Sequence, residues 1–233
     1  MASTFVLICG VSGGGKTTVG EALKSKHGFC HFDGDAWMYG LDPVKQAALI
    51  PTAEEMANCP ESITRLRERF CTDYYLKLSA GEDPDFTAAQ ELYDAMAPEV
   101  LQVRASAPES RIVLSHAVLH RRFRDFLREK LGENLVIVDL CVSPEVLRAR
   151  KLKRLEEQAS EKGQSVEEFL MSYENPSLPP TFEERRDMLV DPGKAHQEER
   201  GEDEERMCVV RVETAEMTAG EVLLQVETFL GLN

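Results

Sequence analysis

Apolar and polar positions along this chain switch repeatedly between a strand pattern and a helical one. Residues 4–9 (TFVLIC) form a continuous β-branched and apolar run bounded by glycine, the pattern of a strand buried on both faces. Residues 16–27 then carry Val19, Ala22 and Leu23 at helical spacing, with Gly28 as a stop. A second short strand, 29–32, runs into Asp33-Gly34-Asp35. From about 42 to 107 the pattern is helical with interruptions: 62–79 and 87–103 have helical periodicity, separated by a turn-like stretch at 81–84. Residues 111–115, 135–140 and 209–212 read as three further strands, and 119–131, 144–157 and 218–230 as helices. The helix at 144 opens on Ser143-Pro144, an N-cap followed by proline at the first helical position. Residues 175–180 break the chain, and the charge run 197–205 reads as solvated. Strands alternating with helices imply βαβ crossovers, so the expected fold is α/β, a five-stranded parallel sheet between two helical layers. With no internal repeat and no autonomous linker, residues 1–233 are expected to form one domain.

Gly10-Val-Ser-Gly-Gly-Gly15-Lys16-Thr17 satisfies GxxxxGK[ST] without a mismatch, after a buried strand and at the start of a helix. Glycines let successive backbone N–H groups curl around a phosphate, and the helix N-terminus adds roughly half a positive charge. The expected phosphate cradle is Gly10, Ser12, Gly13, Gly14, Gly15, Lys16, Thr17 and Thr18. Lys16 is expected to bridge the β- and γ-phosphates of ATP, and the Thr17 hydroxyl to bind Mg²⁺. A P-loop specifies a nucleotide and leaves the reaction open. Guanine-reading switches normally show NKxD after a late strand, which is absent here. Leu135-Val-Ile-Val-Asp139 resembles a Walker B strand, but Leu140 follows where a motor ATPase often has Glu, and Asp139 is expected to cap a turn.

In a doubly wound sheet the carboxyl ends of adjacent strands open onto one crevice. Asp33 and Asp35, about sixteen residues past Lys16, are therefore expected to divide the work there. Asp33 would support the metal, and Asp35 would orient or deprotonate an attacking hydroxyl.

These segments, GVSGGGKTTVGEAL, FDGD, RIVLSHAVLHRRFRDFLRE and LVIVDLCVSPEVLRARKLKR, together resemble the gluconate kinase group of small P-loop kinases, kin to shikimate and adenylylsulfate kinases. The resemblance covers residues 3–38, 110–155 and, weakly, 207–230. It implies a P-loop NTPase fold and Mg²⁺- and ATP-dependent phosphoryl transfer to a small-molecule hydroxyl, with an acceptor-side helical insertion at about 42–109 and a lid at about 150–206. The chain departs from the group where DGDxxH becomes Asp33-Gly-Asp-Ala-Trp-Met38, in the segment 39–109, and in the lid, where the polar stretch 155–180 replaces Gly-His-Phe.

The resemblance also directs attention to arginines. Arg150 and Arg154, four apart on one helix face, are expected to neutralise charge on the transferring phosphoryl group. Arg65, Arg69 and His116 at the end of the third strand are candidates for contact with the acceptor, alongside Asp35; a satisfied structural histidine is the other reading of His116, and Arg124 reads as either structural or acceptor-contacting. Trp37 would stack on an acceptor or wedge a helix. Arg65, Arg69 and Arg104 would equally serve a nucleoside monophosphate kinase, and a nucleotide-binding regulatory protein without turnover would keep the same P-loop.

The 233 residues hold 27 Lys+Arg against 41 Asp+Glu, a formal charge of −14. So acidic a chain is not expected to bind nucleic acid or an anionic membrane. The charge is local: residues 42–109 hold 6 basic and 13 acidic groups and residues 183–205 hold 4 and 10, whereas 1–41 hold 3 of each. Six cysteines, Cys9, Cys30, Cys59, Cys71, Cys141 and Cys208, lack metal-ligand spacing and read as free thiols of a reducing compartment. The N-terminal MASTFVLICG is short and lacks a basic region, so it is not expected to be a cleaved signal. No run approaches the ~18–20 apolar residues of a membrane span. A cytoplasmic monomer or homodimer is the resulting expectation.

Overall fold

The computed structural model describes residues 5–45, 53–132, 134–172, 179–190, 209–213 and 217–232. Its strands are β1 (Phe5–Cys9), β2 (Cys30–Asp33), β3 (Ile112–Ser115), β4 (Val136–Cys141) and β5 (Val209–Glu213). They form one sheet in the order β2-β3-β1-β4-β5, and every neighbouring pair is parallel. The expected α/β architecture with five parallel strands is the one found.

The helices are α1 (Lys16–His27), α2 (Gly34–Met38), α3 (Ala53–Ala57), α4 (Glu61–Arg69), α5 (Lys77–Ala80), α6 (Phe86–Ser106), α7 (Arg121–Leu131), α8 (Pro144–Glu161), α9 (Val166–Met171), α10 (Phe182–Val190) and α11 (Ala219–Phe229). The continuous apolar run of β1 is explained by its position, since it is central and covered on both faces. Phe5, Leu7 and Cys9 join one core with Leu92, Tyr93 and Met96 of α6 and Phe123 and Leu127 of α7. Val6 and Ile8 join the opposite core with Val19 and Leu23 of α1 and Val222 and Val226 of α11. Each strand presents alternate residues to alternate layers, which makes the three-layer sandwich.

Several elements differ from the pattern. The single helix expected over 62–79 is α4 and α5 joined by a π-helical stretch, Phe70–Leu76. Such a stretch re-phases the faces of a helix, so periodicity alone does not find it. It turns Phe70 and Tyr74 into the core. The polar segment 155–180 holds the end of α8 and the short α9, whose capping box pairs Ser165 with Glu168. There Leu155, Ala159, Phe169 and Leu170 form a small separate core with Val166 and Phe182. Arg185 fastens α10 to it, donating to Pro179 O at 2.6 Å and Leu170 O at 2.9 Å. Asp139 does not cap a turn. It lies within β4, 5% exposed, and accepts from the Cys141 thiol at 3.5 Å and the Cys9 thiol at 3.9 Å. The interruption at 175–178, the charge run 197–205 and Cys208 lie outside the described residues. Among the described residues no helix is long and apolar enough to cross a membrane.

Candidate active site

Parallel order places the carboxyl ends of β1, β2 and β3 along one edge. Ile8 and Asp33 both stand in register with Ser115, so the glycine loop after β1, the acidic turn after β2 and His116 after β3 are neighbours by construction. The loop passes close beneath β4: a Cβ on Gly10, whose φ is 131°, would meet Leu140 O at 2.5 Å. Only glycine fits there without moving backbone. Gly15 opens α1 in the left-handed region with no side-chain cap, leaving the first N–H groups of the helix to face the crevice.

Lys16 is 6% exposed, and its Nζ donates to Val11 O at 3.0 Å. Burial pushes its pKa below the usual lysine value, and the charges of Asp35 and then Asp33 oppose that. Asp33 is the N-cap of α2, accepting from Ala36 N at 2.9 Å through one oxygen and from the Thr17 hydroxyl at 3.0 Å through the other. Burial, with the Asp35 charge, raises its pKa above the usual carboxylate range. The turn-like Asp-Gly-Asp is therefore the end of a strand and the start of a helix. Asp35 follows two residues later, within the first turn of α2, with its side chain 41% exposed.

A cleft of about 310 Å³ is lined by Ser12, Gly13, Gly15, Lys16, Thr17 and Thr18, by Asp35, and by Arg150, Lys151 and Arg154 of α8. A second cavity of about 320 Å³ shares Gly13, Gly15, Thr18 and Arg150 with it, adds Gly14, and is closed on the far side by Met217, Ala219 and Val222. Arg150 of α8 thus faces both cavities, and Arg154, four residues on, faces the first. The shape suits a nucleoside triphosphate, with phosphates on the loop and an uncharged end against α11. The Thr17 hydroxyl gives its proton to Asp33, so its oxygen lone pairs remain available to a divalent cation.

The other expected acceptor contacts divide. His116 is buried beside Asp35, with Nε2 3.6 Å from Asp35 Oδ1. Arg124 is 1% exposed and donates to Val118 O and Leu119 O at 3.3 and 2.7 Å, so it clamps the turn after β3. Arg69 is paired with Asp85 and Glu91 at the start of α6, and Arg65 is exposed. Neither lines the two cavities. Arg104 donates to Ser110 O at 2.7 Å and to Ala107 O and Pro108 O, securing the end of α6. Trp37 is 7% exposed and packs in the core, which favours the wedge over the stacking surface.

Residues that pattern reasoning did not single out pack against the end of α2 or near Asp35. Arg67 donates to Met38 O at 3.3 Å and lies 4.9 Å from the Tyr39 ring. Cys71 and Tyr75, on the π-helical stretch, feel the Asp35 charge, and burial pushes them up to about 11 and about 12 respectively. Tyr75 also receives the backbone N–H of Ser12, tying the π-helical stretch to the glycine loop. Nothing in the sequence marks these positions, because the re-phasing that turns them inward is a property of the folded helix.

Burial pushes the His116 imidazole down to about 4, with Asp35 opposing and Lys16 assisting, while Tyr93 is its neutral neighbour. In the unfolded chain it returns towards 6.5. The folded state therefore binds fewer protons between these values, and stability falls as the pH drops from the higher to the lower. The loss attributable to this ring is about 3 kcal/mol. Urea midpoints between pH 7 and pH 4 should fall less steeply in His116→Leu than in wild type; parallel slopes would contradict a buried neutral imidazole.

A family model described as "AAA domain" (AAA_33) matches residues 5–176. No curated protein matches the sequence. Among solved structures, a sugar kinase from Janibacter sp. HTCC2649 is similar over 99% of this chain and 95% of its own, at 16% identity and a TM-score of 0.51. Shikimate kinase from Bacteroides thetaiotaomicron is similar over 99% and 100%, at 16% identity and a TM-score of 0.50. A gluconokinase from Sinorhizobium meliloti 1021 aligns over 98% and 92%, at 21% identity and a TM-score of 0.49. At these identities the first two likenesses establish a common fold.

Proposed function

We propose that this chain, which belongs to the AAA domain family AAA_33, is a Mg²⁺- and ATP-dependent kinase that phosphorylates a hydroxyl of a small polar metabolite, a sugar acid or sugar. The observation that carries this reading is that one cleft holds Lys16, Thr17, Asp35, Arg150 and Arg154 together. A phosphoryl-transfer site needs little covalent chemistry from the protein; it needs positioning and compensation of charge.

In this reading the loop from Gly10 to Thr18 holds the ATP phosphates. The Thr17 hydroxyl, fixed by Asp33, would hold the divalent cation, which would supply neutralisation of phosphate charge. Asp35 takes the hydrogen bond, and finally the proton, of the acceptor hydroxyl. The new bond joins that oxygen to the γ-phosphorus, the bond to the β-phosphate oxygen breaks, and ADP leaves. Lys16, Arg150 and Arg154 offset negative charge on the equatorial and leaving oxygens. We assign the acceptor side to the helical segment 42–109 and the lid to the end of α8 with α9 and α10, within a single domain. Arg67, which donates to Met38 O at the end of α2, is the cation of α4 that we assign to the acceptor side. The commitment of Arg69 and Arg104 to other partners disfavours a nucleoside monophosphate.

ADP release measured with Mg²⁺-ATP and a panel of sugar acids, sugars and nucleoside monophosphates should rise with a member of the first two groups. Turnover with AMP, CMP or UMP alone, or ATP binding with no acceptor-dependent turnover, would overturn the assignment.

A further inference from the structure

His116 is completely buried, yet among the described residues its Nε2 finds no hydrogen-bond partner. A buried ring nitrogen left unpaired costs free energy that a structural histidine would normally avoid. Everything else about the ring is fixed. Its Nδ1 lies 3.3 Å from the Tyr93 hydroxyl. The rings of Phe70 and Tyr93 flank it at 5.5 and 5.6 Å between centroids. Gly34 makes room for it: a Cβ there would come within 2.8 Å of the imidazole Cδ2. The middle residue of Asp-Gly-Asp is thus small because the histidine stands against it.

The unpaired Nε2 points at one group, Asp35 Oδ1, 3.6 Å away. A neutral imidazole carries a single N–H. If Nδ1 carried it, Nε2 would present a lone pair to a carboxylate, and two electron-rich atoms would face each other. With the proton on Nε2, Nδ1 accepts from the Tyr93 O–H and Nε2–H faces Oδ1. The Tyr93 hydroxyl also lies 3.4 Å from Ala117 O, which competes for the same proton and holds the phenol in place. Catalytic hydrogen bonds are often long before substrate binds and shorten in the loaded complex.

We propose that His116 is a positioning residue for Asp35: its Nε2–H, set by Tyr93 and admitted by Gly34, engages Oδ1 and leaves the other carboxylate oxygen for the acceptor hydroxyl. This rests on the kinase reading for its kinetic consequences, but the Tyr93–His116–Asp35 arrangement can be tested without turnover.

Long-range ¹⁵N–¹H spectra of the imidazole in the full-length protein should place the proton on Nε2, and Asp35→Asn should shift those signals. A proton on Nδ1, or signals indifferent to Asp35→Asn, would overturn the proposal. In acceptor-dependent turnover, His116→Leu, similar in volume but without a donor, should lower kcat about 10- to 100-fold. The acceptor KM should stay within about threefold, and ATP affinity should be unchanged. His116→Gln, whose amide N–H can reach the same place, should recover most of the loss. Should His116→Leu fail to fold, Tyr93→Phe keeps the ring and removes the hydroxyl, and should lower kcat with KM preserved. Unchanged kcat in these variants, or losses that track ATP affinity and Tm with no recovery in His116→Gln, would reduce His116 to packing. A wild-type protein without turnover on any acceptor would overturn the kinase reading alone, and the spectra would still decide the tautomer.

Discussion

Replacing Lys16 with methionine is expected to lower turnover by about a thousandfold or more while the protein remains folded. The ammonium is buried at the floor of the cleft, and it donates to Val11 O at 3.0 Å. Folding brings that charge out of water, and burial accordingly depresses its pKa, partly offset by Asp35 and Asp33. A cation held out of water at such cost is poised for anionic oxygens. Removing one pre-organised donor from developing negative charge typically costs ~10²–10³ in rate, and loss of a full charge beside a triphosphate costs more. The same burial predicts the second half of the result. Methionine removes one of the two donors to Val11 O, which keeps the Gly14 N–H at 3.0 Å, and it also removes a desolvated cation, so Tm should be equal to wild type or higher. Mg²⁺-ATP at a hundredfold its Kd should stabilise wild type by about 2.7 kcal/mol. That shift should nearly vanish in the variant. A Lys16→Met protein that still shows it, and still turns over, would remove the P-loop lysine from the mechanism.

Asp35→Asn is expected to lower kcat by about 10²–10⁴, the range for a positioned acid–base group, with ATP affinity largely retained. Asp35 lines the cleft but makes no hydrogen bond to the loop, whereas Asp33 spends one oxygen on Ala36 N and the other on the Thr17 hydroxyl. Two carboxylates on one short helical turn thus have separable duties. Loss at Asp35 should appear in the chemical step, and loss at Asp33 in the binding of Mg²⁺-ATP. Single-turnover rates and isothermal titration with an ATP analogue separate the two. A collapse of nucleotide affinity in Asp35→Asn, with an unaltered rate on the bound complex, would reverse these roles. Because Asp35 is the foremost charge holding Lys16 protonated, affinity and rate need to be measured on the same preparation.

Long-range order was legible wherever one pattern admits one solution. β1 reads TFVLIC because both its faces are covered, and GxxxxGKT can curl only where a strand hands over to a helix. Asp33 was legible as a residue of the crevice, but its duty as the cap of α2 was not, since Asp-Gly-Asp is equally a turn. Arginines were the hardest residues to place from sequence, for a physical reason. A guanidinium is long and seeks carbonyls or carboxylates, so Arg69 pairs with Glu91, Arg104 with the carbonyls after α6, and Arg124 with those before α7. Spacing cannot distinguish those partners from an acceptor.

The sequence by itself determined the layered α/β plan, the phosphate loop with its lysine and threonine, and the separation of a near-neutral nucleotide half from acidic insertions. Local patterns suffice for these, because period, glycine placement and charge are written residue by residue. Only the tertiary structure decided what surrounds Asp35. The π-helical turn that brings in Cys71 and Tyr75, the seating of Arg67 against the end of α2, and the histidine admitted by Gly34 depend on contacts between segments distant along the chain. Such contacts are fixed by packing across the carboxyl edge of the sheet, where residues with no pattern in common become neighbours.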